Sequence, residues 1–350
     1  MYILGIETSC DETAASVIKA DLKSGHILVL SNIISSQIEI HKKYGGVVPE
    51  IAAREHVLNV LPVINEALIK AKIDHNKINV FAITKGPGLI TSLMTGIETV
   101  RTLSFAWNIP IIEINHVEGH IYSNFIKPET KIKFPALILT VSGGHTNLVS
   151  MTKDYKIKII GETLDDAAGE AFDKGAKMMN LGYPGGPIVS QYANDYKKSF
   201  PDSLTPASNL NFPRPMLNSN NSDFSFSGLK TALLYQLKKD PKWKTRIPEY
   251  CFAYQQAIID ILTAKTIKAA KRLEAKTVML SGGVSANREL RESLALAVKA
   301  KLSGVNFLVP AQEYTTDNAA MIAAAAVFKL KHQKTTTFSK LRVDPSLQLK

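Results

Sequence analysis

His116 and His120, in Ile114-Asn-His116-Val-Glu118-Gly-His120, stand four residues apart, so on a helix their imidazoles share one face and can grip one metal ion. Two histidines alone hold an ion weakly. Asp317 is the candidate third ligand, expected in the first turn of an apolar helix over 321–330, and the set would leave open positions on iron or zinc. The plain alternatives are surface or capping histidines and a carboxylate that complements a helix dipole. Glu118 invites comparison with zinc peptidases of the H-E-x-x-H type. There the glutamate adjoins the first histidine, whereas Glu118 lies about 200° round an ideal helix from His116, so peptidase chemistry fits poorly.

Three glycine pairs follow or interrupt strands: Ser142-Gly-Gly144, Gly185-Gly186 and Ser281-Gly-Gly283. Glycine lets backbone amides approach a phosphate and form an anion nest, and the third pair also precedes a helix, whose N-terminus favours anions. Near these pairs stand Asp173, able to accept from ribose hydroxyls, and Asn287, able to bond both edges of a nucleoside. Together they point to a nucleotide-type ligand. Plain turns, an exposed carboxylate and a helix-cap amide are the competing readings. Lys238-Lys239-Asp-Pro-Lys242-Trp243-Lys244-Thr-Arg246 interleaves an aromatic with cations, as an RNA-contacting loop or a solvated connection between helices would.

The elements that must position these groups are legible in outline. Strands 2–6 and 14–20 flank a polar turn, and strands 135–140 and 147–151 repeat that unit, which suggests a duplicated architecture. Helices are expected over 49–72, 96–107, 165–180, 249–276 and 286–301, with buried strands over 80–84 and 278–281. The order implies an α/β fold with mixed sheets covered by helices. The stretch 196–227, rich in Pro, Asn and Ser, reads as a long excursion serving a ligand or partner.

At 350 residues, 45% apolar and 21% charged, the composition is that of a soluble globular protein of two domains. No apolar stretch is long enough to span a membrane. Cys10 and Cys251 are too few for a disulfide framework, which favours a reducing compartment, and with no secretory segment evident a cytoplasmic location is expected. The net charge of +11 favours a polyanionic partner, nucleic acid above all.

Read in order, the motifs resemble the universal tRNA threonylcarbamoyltransferase family, TsaD in bacteria. They are Gly5-Ile-Glu-Thr-Ser-Cys-Asp-Glu-Thr13, Tyr44-Gly-Gly-Val-Val-Pro-Glu50, Lys85-Gly-Pro-Gly-Leu89, His116-Val-Glu-Gly-His120, Val141-Ser-Gly-Gly-His-Thr146, Ala168-Gly-Glu-Ala-Phe-Asp-Lys174, Tyr183-Pro-Gly-Gly-Pro187, Asp223-Phe-Ser-Phe-Ser-Gly-Leu-Lys230, Ser281-Gly-Gly-Val284 and Thr316-Asp-Asn318. The resemblance implies the actin-like ATPase (ASKHA) fold of sugar kinases and chaperone ATPases, with duplicated ribonuclease-H-like lobes. The lobes would span 1–130 and 131–318, with a helix and basic tail over 319–350 packing back on the N-terminal lobe. It also implies transfer of a threonylcarbamoyl group from threonylcarbamoyl-AMP to N6 of the adenine next to the anticodon in tRNAs reading codons that begin with A, releasing AMP.

Carried over by motif, His116, His120 and Asp317 match the ligands of one divalent metal, iron(II) ahead of zinc. Thr140, Val141, Ser142, Gly143, Gly144, Asp173, Gly186 and Asn287 match the positions that hold the adenylate, or ATP or ADP. Asp11, in the first hairpin turn and facing the cleft in such a fold, is the candidate for orienting the reacting groups. Bacterial members work with an inactive paralogue (TsaB-like) and a small ATPase (TsaE-like), which implies both as partners beside tRNA. Two other functions compete: a phosphotransferase of the same fold, which would turn over ATP and hold Mg²⁺ by carboxylates, and an inert tRNA-binding scaffold, which would not need all three metal positions.

Overall fold

Branched and small apolar residues dominate three opening strands, β1 (Tyr2–Glu7), β2 (Glu12–Ala20) and β3 (Ile27–Ser36), which pair antiparallel in sequence. The short α1 (Ile38–His41) leads to α2 (Pro49–Ala71), which opens on a proline, where a missing N–H goes unnoticed. Next come β4 (Val80–Gly86), α3 (Ile90–Trp107) and β5 (Ile111–Asn115), whose strands join β1 in parallel to give the order β3-β2-β1-β4-β5. The chain then passes straight into α4 (His116–Tyr122).

The pattern repeats. Strands β6 (Ala136–Val141), β7 (Thr146–Met151) and β8 (Ile157–Glu162) form a second meander, followed by α5 (Ala168–Met178), α6 (Gly185–Lys198), α7 (Ser227–Lys239) and α8 (Ile247–Leu273). Strand β9 (Thr277–Ser281), α9 (Arg288–Lys301) and β10 (Asn306–Leu308) complete a sheet of order β8-β7-β6-β9-β10, and α10 (Ala319–Lys329) follows. This is a computed structural model that describes residues 1–200 and 208–349, so part of the excursion expected over 196–227 lies outside the described residues. The chain divides into two units, Met1–Lys131 with Pro310–Lys350, and Ile132–Val309. The division falls before the boundary drawn at 318 from the sequence, so Asp317 belongs to the same unit as the two histidines.

Helix α10 is apolar on every side, and its residues from Ala319 to Phe328 are all buried. A helix with no polar face has to be enclosed by protein, and α10 packs on β1, β2 and α4. Its small residues permit close approach to β1. A Cβ added at Gly5 would sit 2.4 Å from the Ala319 carbonyl oxygen, which is backbone and cannot step aside. Gly5→Ala is therefore expected to destabilise the protein by about 1–3 kcal/mol, read as a lower urea midpoint at unchanged slope.

Candidate metal and nucleotide sites

The first site begins at the end of β5, where the Asn115 side chain caps α4 by accepting from the N–H groups of Val117 and Glu118. This cap sets the first turn of α4, which carries His116 and His120 side by side with ring centroids 4.7 Å apart. Asp317 reaches them from the other end of the unit. It lies just before the cap of α10, Asn318, and not in the helix's first turn as its spacing suggested; Asn318 accepts from the Met321 N–H and fixes the approach. Asp317 Oδ1 stands 3.5 Å from His116 Nε2 and 3.1 Å from His120 Nε2, and the three donor atoms lie within 4.8 Å of one another.

These three groups could hold one ion. His120 is 1% exposed, yet neither ring nitrogen has a well-formed hydrogen bond among the described residues. A buried polar group left so costs about 1–3 kcal/mol, which a divalent ion between the three donors would relieve. His116 is oriented for the task. Its Nδ1 meets Glu7 Oε2 at 3.1 Å and Ser9 Oγ at 3.1 Å, so Nε2 is the atom turned to Asp317. Glu7 is in turn held by the Ser9 N–H at 2.5 Å and the Thr84 hydroxyl at 2.6 Å. Such a carboxylate behind a metal-binding histidine fixes the ring and raises its basicity.

The electrostatics follow from burial and from these carboxylates. Burial opposes charge on His116, but Asp317 and Glu7 outweigh it and hold its proton up to about 9, so an ion at Nε2 must take that proton's place. Burial would raise Glu7, and His116 draws it below the usual carboxylate range. In the turn between β1 and β2 and at the first residue of β2, burial, Asp11 and Asp317 together push the Cys10 thiol and the Glu12 carboxyl well up. Asp11 is 8% exposed in this turn, with its carbonyl accepting from the Gln37 N–H. Lys85-Gly-Pro-Gly-Leu89 clamps the same turn, the Leu89 N–H donating to the Ser9 carbonyl at 2.8 Å. Glu118 pairs with Lys329 at 3.0 Å, away from any role as a base on this ion.

The second site lies in the unit Ile132–Val309. Parallel pairing of β6 with β9 brings two glycine loops together at the carboxyl ends of the strands, where Thr140 Oγ1 meets Ser281 Oγ at 3.0 Å. Side chains added at Gly143, Gly144 or Gly283 would meet nothing within 4 Å, so these amides border open space. The N-terminus of α5 closes on the first loop, the Gly169 N–H donating to the Ser142 carbonyl at 3.1 Å. Gly185-Gly186 does not interrupt a strand, as its sequence suggested, but opens α6. There Asp173 Oδ1 accepts from the Gly185 N–H at 2.7 Å, which brings Asp173 beside Gly186.

Asn287 caps α9, as the plainer reading has it. Its Oδ1 accepts from the Leu290 N–H, and its Nδ2 donates to Gln255 Oε1 at 2.8 Å. Gln255, which the sequence did not single out, lines a groove of about 670 Å³ with Pro187, Gln191, Phe252 and Arg288. One further motif supports the site from behind. Asp165 accepts from the Ser225 and Ser227 hydroxyls and the Phe226 N–H, while Asp166 lies between Lys174 and Lys230 at 2.7 and 2.8 Å. These bonds tie Asp223-Phe-Ser-Phe-Ser-Gly-Leu-Lys230 to the start of α5.

A strand order repeated in two units, each with a loop site at its strand ends, places the protein among the ASKHA-type ATPase folds. Solved structures agree in fold. The activator of 2-hydroxyisocaproyl-CoA dehydratase from Clostridium difficile matches with a TM-score of 0.51 over 96% of this chain and 100% of that one, at 13% identity. HypF from T. kodakarensis gives 0.60 over 94% of this chain and 48% of that one, at 12% identity. The activity is read from sequence. Residues 28–324 match the TsaD family, described as tRNA N6-adenosine threonylcarbamoyltransferase. Proteins of that name are 48% identical in Thermosipho melanesiensis, over 93% of this chain and 94% of theirs, and 46% identical in Bacillus subtilis, over 93% and 89%. The chain belongs to the TsaD family and is a tRNA N6-adenosine threonylcarbamoyltransferase enzyme.

Proposed function

We propose that the chain carries the threonylcarbamoyl group from threonylcarbamoyl-AMP to N6 of the adenine next to the anticodon in tRNAs reading codons that begin with A. The N6–carbonyl bond forms, the carbonyl–phosphate oxygen bond breaks, AMP leaves and N6 loses a proton. The reading rests on the cluster of His116, His120 and Asp317, two buried imidazoles turned to one carboxylate. Two imidazoles and a carboxylate with open positions favour iron(II) ahead of zinc. When bound, the ion supplies Lewis acidity.

The rest falls to the chain's own groups. The donor is a mixed anhydride and already activated, so orientation and fixed dipoles are what the protein must add. The amides of Ser142, Gly143 and Gly144 and the N-terminus of α5 receive the phosphate. Thr140 and Val141 hold that loop at the sheet. Asp173 and Gly186 border the ribose, and Asn287 with Gln255 forms the wall that meets the adenine, which is also where ATP or ADP would sit. Asp11, on a turn clamped by Leu89, orients the reacting groups.

Exposed apolar residues on α2 (Val57, Leu58, Leu61) and α3 (Met94, Phe105) suit a partner surface, for which we favour an inactive TsaB-like paralogue with a TsaE-like ATPase. Among the described residues no helix is long and apolar enough to cross a membrane, and we place the enzyme in the cytoplasm with its tRNA.

The test is transfer of labelled threonine to unmodified tRNA, with ATP, bicarbonate, the adenylate synthase and these partners present. Chelator-sensitive label in tRNA is expected. ATP turnover with no label in tRNA would instead support the phosphotransferase reading.

A further inference from the structure

We infer that the corner between α7 and α8 is a docking surface for the phosphate backbone of tRNA. This inference rests on the proposed tRNA substrate and adds the surface that meets it. Lys238, Lys239, Lys242 and Lys244 fall within seven residues, and all four are exposed. None of their ammonium groups forms an ion pair or hydrogen bond among the described residues, although Lys244 Nζ lies 5.9 Å from the Trp243 ring centroid. The corner's own acids are already engaged. Asp240 accepts from Arg246 at 2.7 Å, the Tyr250 hydroxyl at 3.0 Å and the Lys242 N–H at 2.9 Å. Glu249 accepts from Arg246 at 2.9 Å and the Ser208 hydroxyl at 3.0 Å.

These bonds make a braced turn whose surplus charge is all positive and all outward. Trp243 packs its partly buried ring against the core and anchors the turn between the lysines. An exposed aromatic completes the surface. Tyr235 is 59% exposed and lies three and four residues before Lys238 and Lys239, hence on their face of α7. Cations on a rigid frame beside an exposed ring suit a polyanion with unstacked bases better than an acidic protein, whose carboxylates offer no planar face to the ring.

The experiment uses the full chain with its partners and an unmodified tRNA transcript. The variant K238Q/K239Q/K242Q/K244Q is compared with K153Q/K156Q/K158Q, which removes exposed charge from the β7–β8 turn and the start of β8. The corner variant is expected to bind tRNA at least about ten-fold more weakly near 0.1 M salt, with a plot of log affinity against log salt shallower by about 3. The turn variant should keep both values. Equal losses in the two variants, or an unchanged salt slope in the corner variant, would overturn the assignment. A chain that still transfers label while the corner variant binds normally rejects the surface and spares the proposed reaction; a wild-type chain that neither binds nor modifies tRNA rejects both. Lysine acetylation of the wild-type complex gives a second reading that needs no variant. Bound tRNA should protect the four corner lysines and leave Lys153 and Lys156 reactive, and uniform reactivity would defeat the proposal.

Discussion

His120→Ala is expected to empty the metal site and lower threonylcarbamoyl transfer by about a thousand-fold or more. The size follows from the several kcal/mol that a Lewis-acidic ion contributes to a charged transition state, each 1.4 kcal/mol being ten-fold in rate. Folding should survive the change. The wild-type imidazole is buried with Nδ1 unbonded and Nε2 facing only Asp317 at 3.1 Å, so in the metal-free protein its removal deletes a polar burden while opening a small cavity. Metal content by elemental analysis and thermal unfolding of metal-free protein separate the two effects. Glu7→Gln gives the graded comparison, since a changed partner behind His116 should weaken metal affinity by about 10–100-fold and leave the three ligands in place. An H120A protein that keeps its metal and its transfer rate would end the assignment of this cluster.

Gly169→Ala is expected to raise the KM for the adenylate donor by about a hundred-fold. Helix propensity argues the other way, favouring alanine over glycine by about 1 kcal/mol inside α5. The contact outweighs it. A Cβ at this position would lie 2.5 Å from the Ser142 carbonyl oxygen and 2.8 Å from both Cα and N of Gly143, all of them backbone. Relief requires moving either the helix end or the phosphate loop, and an overpacked contact of this kind costs about 1–3 kcal/mol. Because the displaced atoms are those proposed to receive the phosphate, the loss should appear in donor affinity well before stability. Titration of the donor in a transfer assay, beside a melting curve, decides the matter; an unchanged KM would show that the loop does not hold the phosphate.

Both sheets were legible in outline because their opening strands are largely apolar runs separated by short polar turns, and β4 begins with another apolar run, Val80-Phe-Ala-Ile83. Strand β8, Ile157–Glu162, escaped notice because it is a half-exposed edge with lysine at 158, and Ile111–Asn115 because it is too short for a period to show. Gly185-Gly186 resembles a pair that follows or interrupts a strand, because two glycines look like a breaker. What makes them a helix start is Asp173, twelve residues earlier, and periodicity cannot see that bond.

That His116, His120 and Asp317 come together was legible in the spacing of the histidines and in the family motifs. The groups behind it were not. Glu7 reads as the last residue of a strand, and only tertiary packing turns it and Ser9 onto the Nδ1 of an imidazole more than a hundred residues away. Gln255 lay unnoticed for a similar reason. It is one polar residue on a long, mostly apolar helix, and its meaning depends on Asn287.

The first unit is built from both ends of the chain, with α10 enclosed among its strands and Thr336 hydrogen-bonded to Ile111 through both backbone groups. Its core therefore stays open during synthesis until the last segment emerges, whereas Ile132–Val309 has all its strands beforehand. Biogenesis should thus run from the middle of the chain outward, the discontinuous unit closing late around a contact of high sequence separation. Asp317 arrives with that closing segment, so the proposed metal site waits on its emergence, and a polypeptide cut short before Asp317 would leave the ribosome with the two histidines and no carboxylate to complete the cluster.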